Sequence, residues 1–281
     1  MFGRRGTPGK TREQVLLMRQ AGLLVSRTLD LVGGAARAGR TTADLDALAE
    51  DFIRSGGGVP SFLGYHGFTA TLCTSVNDVV VHGIPGATVL RDGDVLSVDC
   101  GAVVAGWHGD AARSFLVGGR ASARDEDLRL VDTTEDALWA GIAALGVGRS
   151  LHAVGEAVED SITAAGERDR AQYGIVEDYV GHGIGAEMHE DPQIPNYRVR
   201  GSGPTVRPGF TAAIEPMVTL GSPQTRVLED DWTVVTTDGR RAAHWEHTVA
   251  VGDAGLWVLT AEDGGRERLA ARGAAYAPLS G

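Results

Sequence analysis

The sequence predicts a single domain of the α+β class. Two helical segments, a block of strands, two more helical segments and a second block of strands follow one another along its 281 residues. Helices and strands in separate runs are typical of α+β folds, and the repeated order indicates an internal duplication. No stretch rich in proline or glycine is long enough to serve as a linker between two domains.

The composition is that of a globular protein with a net negative charge. Hydrophobic residues make up 43% of the chain, charged residues make up 22%, and the formal net charge is -11. Such a chain is a poor ligand for nucleic acid, because phosphate contacts need a basic surface, and a better host for cations. Its two cysteines, Cys73 and Cys100, are too few for a disulfide framework or a Cys₄ zinc site.

The two ends of the chain differ from its centre. Glycines and charges dominate residues 1–10, which predicts a flexible tail. Residues 263–281 are expected to be loosely structured, so that residues 11–262 form the domain. The sequence shows no signal peptide and no apolar run of about 18 residues. We therefore expect a cytoplasmic protein that does not enter a membrane.

Four amphipathic segments are predicted to be helices, since apolar residues recur in them at the spacing of a helical face. They cover residues 11–33, 41–56, 125–145 and 151–165. Thr11 and Thr41 suit the N-caps of the first two, because a threonine oxygen can accept a hydrogen bond from a free backbone N–H. Between and after the helices, β-branched residues punctuated by glycines predict strands. These cover residues 70–75, 95–103, 108–116, 211–219, 232–237 and 248–251.

Acidic residues stand in some of these apolar strands. Asp99, Glu215 and Glu246 are three of them, and a buried carboxylate needs a partner or a metal. For any one of them alone, a structural ion pair is the more common explanation. A turn near residues 104–106 would place Asp110 almost opposite Asp99, where like charges destabilise a strand pair. A cation between the two carboxylates removes that repulsion, so the hairpin predicts a divalent-metal site.

Three histidines are candidates for the same site. His82 and His182 stand beside glycines, which leave room for a backbone to come close, and His189 follows seven residues after His182. A lone histidine is more often a satisfied loop side chain. That explanation is kept for His66, His108, His152, His244 and His247. One imidazole and four carboxylates suit Mn, Fe(II), Co or Zn, and two ions would balance the carboxylate charge and activate a water.

Four blocks of the sequence resemble the signature motifs of bacterial type I methionine aminopeptidases. They are residues 74–85, 181–192, 214–216 and 245–248, and the likeness extends from about residue 11 to residue 260. The resemblance implies the pita-bread α+β fold, in which two halves related by approximate two-fold symmetry surround a curved antiparallel sheet. It also implies a dinuclear-metal aminopeptidase that removes the N-terminal methionine from nascent proteins when the second residue is small.

The resemblance implies a role for each candidate ligand. Asp99 would bind the second of two divalent ions, while Asp110 and Glu246 would bridge both ions. His182 and Glu215 would bind the first ion. Glu215 would in addition act as acid and base toward the water that attacks the first peptide bond.

The resemblance also implies the residues that contact the substrate. His82 and His189 would touch the substrate amide and stabilise the tetrahedral intermediate. The methionine pocket would consist of Phe62, Tyr65, Phe68, Cys73, Met188 and Trp232. Two of these depart from the common family pattern: Phe62 replaces a small residue and Met188 replaces an aromatic one. Both replacements keep the implied pocket apolar.

Further partners follow from the same resemblance. A monovalent cation would be held near Asn77, Val79 and Ala242, largely by backbone oxygens. The substrates would be nascent chains that begin with methionine, which suggests a visit to the ribosome. We expect a monomer without specific binding to nucleic acid.

Three other interpretations were weighed against this one. An Xaa-Pro peptidase would share the metal ligands, but it usually has a sizeable N-terminal domain, and fewer than a hundred residues precede Asp99. The His82 motif also argues against it. A binding module without metals would not need the complete ligand set. A type II methionine aminopeptidase needs a helical insertion between His182 and Glu246, which are only 64 residues apart.

Overall fold

The computed structural model describes residues 6–201 and 203–279, and five α-helices lie within them. Their bounds are α1 Arg12–Ala35, α2 Thr42–Ser55, α3 Asp125–Ala144, α4 Ala153–Asp169 and α5 Arg266–Ala271. The four helices predicted from the sequence are confirmed, and α5 is an addition. None of the helices in this part of the chain is both long enough and apolar enough to cross a membrane.

The first two helices begin at the threonines that the sequence singles out. The Thr11 side chain accepts a hydrogen bond from the backbone N–H of Gln14 at 3.3 Å, and the Gln14 side chain accepts one from the backbone N–H of Thr11 at 2.8 Å. Thr41 and Asp44 exchange the same pair of hydrogen bonds at the start of α2. Each reciprocal pair satisfies two backbone donors that a helix leaves free at its N-terminus.

Fifteen strands occur in the described residues, and every ladder that joins two of them is antiparallel. Their bounds are β1 Val59–Pro60, β2 Leu72–Val76, β3 Val79–Val81, β4 Val95–Val104, β5 Trp107–Leu116, β6 Tyr173–Ile175, β7 Gly181–Gly183, β8 Glu190–Ile194, β9 Thr211–Ile214, β10 Met217–Leu220, β11 Thr225–Val227, β12 Val234–Thr236, β13 Ala242–His244, β14 His247–Gly252 and β15 Gly255–Val258. They form four sheets: β4 with β1, β2 and β5; β13-β10-β6; β11-β12-β3; and β15-β14-β9-β7-β8. The α+β prediction is confirmed.

The β4–β5 hairpin turns one residue later than the sequence analysis expects. Its turn consists of Ala105 and Gly106, both with positive φ (50° and 82°), the conformation that tight two-residue hairpins require. Asp99 therefore lies opposite Ala112 rather than opposite Asp110. The expected pairing of Asp99 with Asp110 is therefore wrong, because the turn lies one residue further along the chain. Asp110 is instead the diagonal neighbour of Asp99 on the same face of the sheet, so the two carboxylates still converge.

The predicted strand 211–219 is two strands, because Pro216 has no N–H to continue a ladder. β9 pairs with β7 and β14, whereas β10 pairs with β6 and β13. The chain therefore passes from one sheet to another at Glu215 and Pro216. It crosses between the same two sheets again at Trp245 and Glu246, which separate β13 from β14. Two of the candidate metal ligands thus lie at the seam between sheets.

Each half of the chain packs its own helices against its own strands. In the first half α1 and α2 cover the β4 sheet through a cluster that includes Leu29, Leu45, Leu72, Leu96 and Val98. In the second half α3 and α4 cover β9 and β14 through Leu138, Ile142, Val158, Ile214 and Val249. This arrangement of two similar layers is the one that the repeated order of elements predicts.

Both ends of the chain carry more structure than the sequence analysis expects. Near the N-terminus, Lys10 forms an ion pair with Glu190 and donates its backbone N–H to a carbonyl. Near the C-terminus, Leu269 on α5 is fully buried and Tyr276 bridges to β15. Single residues make these contacts, and such contacts leave no periodic pattern in a sequence. Residues 1–5 and 280–281 of the two predicted tails lie outside the described residues, and the domain boundaries stay a prediction.

We expect Gly109→Ala to destabilise the protein. A Cβ atom at Gly109 would lie 2.6 Å from the backbone N and 2.8 Å from the Cα of Gly22, so α1 can approach β5 this closely only because Gly109 has no side chain. Overpacking of this kind costs about 1–3 kcal/mol. Gly34→Ala in the same helix is the control, since nothing lies within 4 Å of its Cβ position. Urea unfolding should show a loss for Gly109→Ala alone; equal stabilities would contradict the close approach.

Candidate metal centre

The structure gathers every residue that the sequence analysis assigns to the site around one cavity of about 210 Å³. Its walls include the five candidate ligands Asp99, Asp110, His182, Glu215 and Glu246. They also include the two candidate substrate contacts His82 and His189, and the six candidate pocket residues Phe62, Tyr65, Phe68, Cys73, Met188 and Trp232. The first half of the chain supplies the two aspartates, and the second half supplies the other three ligands.

Backbone hydrogen bonds bring two of the acids together across the halves. The backbone N–H of Glu246 donates to the carbonyl of Ala112 on β5 at 2.9 Å. Thr248 Oγ1 accepts from the backbone N–H of Asp110 at 3.0 Å and donates to its carbonyl at 2.7 Å. These bonds hold β14 beside β5, and they bring the backbones of Asp110 and Glu246 to neighbouring positions across the two strands.

The candidate ligand atoms are close enough to share an ion. One donor atom each from Asp110, His182 and Glu246 lie within 4.8 Å of one another. His182 Nε2 lies 3.5 Å from Glu215 Oε1. Carboxylate oxygens and an imidazole nitrogen at this spacing suit a divalent transition metal.

The carboxylates are costly to ionise where they stand. Burial raises the pKa of Asp99 to about 7. Burial, followed by repulsion from the neighbouring acids, raises the pKa of Asp110, Glu215 and Glu246 well above the ordinary value. In the described structure Asp99 Oδ1 and Asp110 Oδ1 are buried and have no hydrogen-bond partner. A cation in the cavity would stabilise the ionised carboxylates and pair with the two oxygens that lack a partner. The residues present therefore fit a metal.

His182 is prepared to act as a ligand. Its Nδ1 lies 2.9 Å from the carbonyl of Gly183, which can only accept a hydrogen bond, so Nδ1 carries the proton. Burial lowers the pKa of His182 to about 4, which keeps the ring neutral. The Nε2 lone pair is then free and faces Glu215. Fixing one imidazole nitrogen to orient the other toward a metal is common in metalloproteins.

The two candidate substrate histidines flank the acids. The His189 ring lies 4.3 Å from the His182 ring, between centroids, and Tyr65 Oη lies 2.8 Å from His189 Nδ1. His82 has a left-handed backbone (φ 58°) and contacts the Trp232 ring edge-on. Burial lowers the pKa of both histidines, that of His82 to about 4. Both rings are therefore neutral near neutral pH.

The candidate methionine pocket is an apolar cluster next to these histidines. Phe62, Phe68, Cys73 and Met188 are buried together, and Tyr65 and Trp232 pack against them half-buried. The Phe68 and Trp232 rings meet edge-on with centroids 5.0 Å apart. Aromatic and sulfur-bearing side chains of this kind favour a flexible, polarisable ligand.

Sequence reasoning missed several residues of the cavity wall. They are His66, Val81, Tyr179, Val180 and Met217. His66 follows Tyr65 and has a left-handed backbone (φ 47°), which turns it toward the cavity. His244, for which no function was assigned, is buried with Nε2 3.9 Å from Glu215 Oε2. The available signal was its position in the sequence, two residues before the candidate ligand Glu246.

The remaining sequence predictions concern His247 and the monovalent cation. His247 points away from the cavity, with Nδ1 2.8 Å from Thr260 Oγ1, as its position after Glu246 predicts. Asn77 and Ala242 lie on adjacent segments, and the Asn77 carbonyl accepts the Ala242 backbone N–H at 2.9 Å. Val79 lies opposite a residue of β12. A cation at these residues stays a prediction.

The raised pKa of Asp99 predicts how pH changes the stability of the metal-free protein. Between about pH 4 and about pH 7 the folded protein retains a proton that the unfolded chain releases, so this group's contribution falls as pH rises. Asp99→Asn removes the group and leaves the buried histidines in place. In thermal unfolding with chelator present, wild type should therefore lose stability relative to Asp99→Asn as pH rises through this window. Parallel pH profiles would contradict the raised pKa.

Comparisons with known proteins agree with this geometry. The model of metallopeptidase family M24 matches residues 16–253. The sequence is 50% identical to methionine aminopeptidase 1 of Mycobacterium tuberculosis over 92% of this chain and 96% of that protein. The fold matches the crystal structure of a methionine aminopeptidase from Thermotoga maritima with a TM-score of 0.86 and 38% identity, over 91% and 100% of the two chains. An Xaa-Pro dipeptidase from Bacillus anthracis shares the fold, with a TM-score of 0.70 and 20% identity over 89% and 61%.

Proposed function

Because the chain belongs to metallopeptidase family M24 and, within it, to the methionine aminopeptidases, we propose that it hydrolyses the first peptide bond of chains that begin with methionine and continue with a small residue. Its fold is the pita-bread α+β fold of that family. One observation carries the proposal: the apolar pocket and the cluster of acids are walls of the same cavity. A side chain held in the pocket would place the adjoining peptide bond beside the acids.

We infer that the cavity holds two divalent ions. His182 and Glu215 would hold one ion, Asp99 would hold the other, and Asp110 and Glu246 would lie between them. Four ionised carboxylates carry the charge that two divalent ions balance. Such ions would lower the pKa of a water and polarise the peptide carbonyl. The donor set suits Mn, Fe(II), Co or Zn.

The other residues would bind the substrate and move its protons. Glu215 would take a proton from the attacking water and return one to the new amine. His189 would donate a hydrogen bond to the carbonyl oxygen as negative charge develops there. His82 would contact the substrate amide from the opposite wall. Phe62 and Met188 would enclose the end of the methionine side chain.

We also propose where the protein acts and what else it binds. The substrates would be nascent chains, met at the ribosome, and the protein would act as a monomer in the cytoplasm. It would not bind nucleic acid specifically, since its net charge is -11. A monovalent cation near Asn77, Val79 and Ala242 would stabilise the segment that leads to His82.

Removal of metal should abolish the activity. We expect protein dialysed against chelator to release no methionine from a Met-Ala-Ser peptide, and Mn or Co to restore release, because the acids need cations to act on the peptide bond. An Xaa-Pro peptide is the control, measured on the same samples by chromatography of the products. Methionine release that does not depend on added metal would contradict the proposal. Preferential cleavage before proline would favour an Xaa-Pro peptidase.

The two bridging positions should each be essential. We expect Asp110→Asn and Glu246→Gln to lower turnover by more than about 100-fold, since changes outside the ligand set already cost 10–100-fold in metal sites. Asp253→Asn, at an exposed acid remote from the cavity, is the matched control. Circular dichroism should show that all three variants fold. Near-normal turnover in either bridging variant would remove that residue from the proposed ligand set.

A further inference from the structure

A second imidazole, in addition to that of His182, lies near the Glu215 carboxylate. His244 lies on β13 and is only 2% exposed. Its Nε2 is buried and has no hydrogen-bond partner in the described structure. Native proteins rarely leave a buried polar atom unpaired, so each such atom needs an explanation. The nearby Glu215 carboxylate supplies an explanation for the unpaired nitrogen.

Glu215 is held between two imidazoles. His182 Nε2 lies 3.5 Å from Oε1, and His244 Nε2 lies 3.9 Å from Oε2. Each carboxylate oxygen therefore faces a different ring nitrogen. The distance to His244 exceeds a hydrogen bond by several tenths of an ångström, which a small rotation of the Glu215 side chain can close.

The backbone of His244 is tied to the strands that carry the two aspartates. Its N–H lies 3.2 Å from Ser97 Oγ and 3.0 Å from Ser114 Oγ, and Ser114 Oγ donates to its carbonyl at 2.9 Å. Ser97 lies two residues from Asp99 on β4, on the same face of that strand. The imidazole is thus fixed on the framework of the metal centre rather than on a mobile loop.

The partner decides which atom the ring must offer. An uncharged imidazole carries one N–H and one lone pair. Only the N–H can pair with a carboxylate oxygen. A proton on Nε2 therefore satisfies both the unpaired nitrogen and the Glu215 oxygen that faces it.

We propose that His244 is a positioning residue for the metal centre, whose Nε2–H donates to Glu215 Oε2 and so reserves Oε1 for the ion that Glu215 shares with His182. The proposal rests on the proposed function, which makes His182 and Glu215 ligands. Donation to one oxygen holds the carboxylate in a single orientation and prevents it from spreading both oxygens over the ion. Metal affinity should depend on this hydrogen bond, because ligands oriented by outer partners bind more tightly.

Three substitutions separate this role from packing. His244→Gln places an amide N–H near the position of Nε2, His244→Asn places one near the position of Nδ1, and His244→Leu fills the space without a donor. The measurement is titration calorimetry of each metal-free protein with Mn²⁺. We expect His244→Gln to bind Mn²⁺ within a few-fold of wild type, and His244→Asn and His244→Leu to bind about 10–100-fold more weakly.

Each outcome decides the proposal. Equal Mn²⁺ affinity in all four proteins, or equal weakening by Gln and Asn, would overturn the role of His244. If His244→Leu fails to fold by circular dichroism, the comparison of Gln with Asn still decides. Release of methionine by wild type with Mn²⁺ tests the proposed function separately. If wild type releases methionine and the Gln and Asn variants bind Mn²⁺ equally, only the role of His244 fails.

Discussion

The burial of four carboxylates around one cavity is the constraint on which the rest of the structure depends. Burial makes each of them costly to ionise, and repulsion from neighbouring acids adds to that cost for Asp110, Glu215 and Glu246. The histidines that line the cavity beside them do not neutralise them, because burial keeps His82, His182 and His189 neutral. The cavity is therefore built for positive charge that the described residues do not supply. Its walls otherwise offer apolar side chains suited to one substrate side chain.

Two breaks between strands position two of these acids. Glu215 and Pro216 form the break between β9 and β10. Glu246 stands at the matching break between β13 and β14, where its N–H bonds to β5 of the other half. A regular ladder would fill these positions with cross-strand partners. By interrupting the ladder, the chain frees two acids to point into the seam between the sheets.

Much of this was predictable, and the failures have physical causes. The helices follow from amphipathic spacing and threonine caps, and Asp99 and Glu215 follow from charges in apolar strands. The predicted register of the β4–β5 hairpin was wrong because the turn uses Ala105 at positive φ, a conformation that alanine rarely adopts. His244 and His66 were missed because a histidine's surroundings depend on which distant segments cover it. Those contacts are tertiary and leave no local pattern.

The division of the ligands between the two halves has a consequence for the stability of the folded chain. Asp99 and Asp110 precede α3, whereas His182 and Glu246 follow it, so an ion in the cavity would be a cross-link that closes a long loop of chain. A ligand that binds only the assembled state stabilises that state by a free energy that grows with the logarithm of the free ligand concentration. Metal supply would then set how often the two layers part, and so how exposed the chain is to proteases.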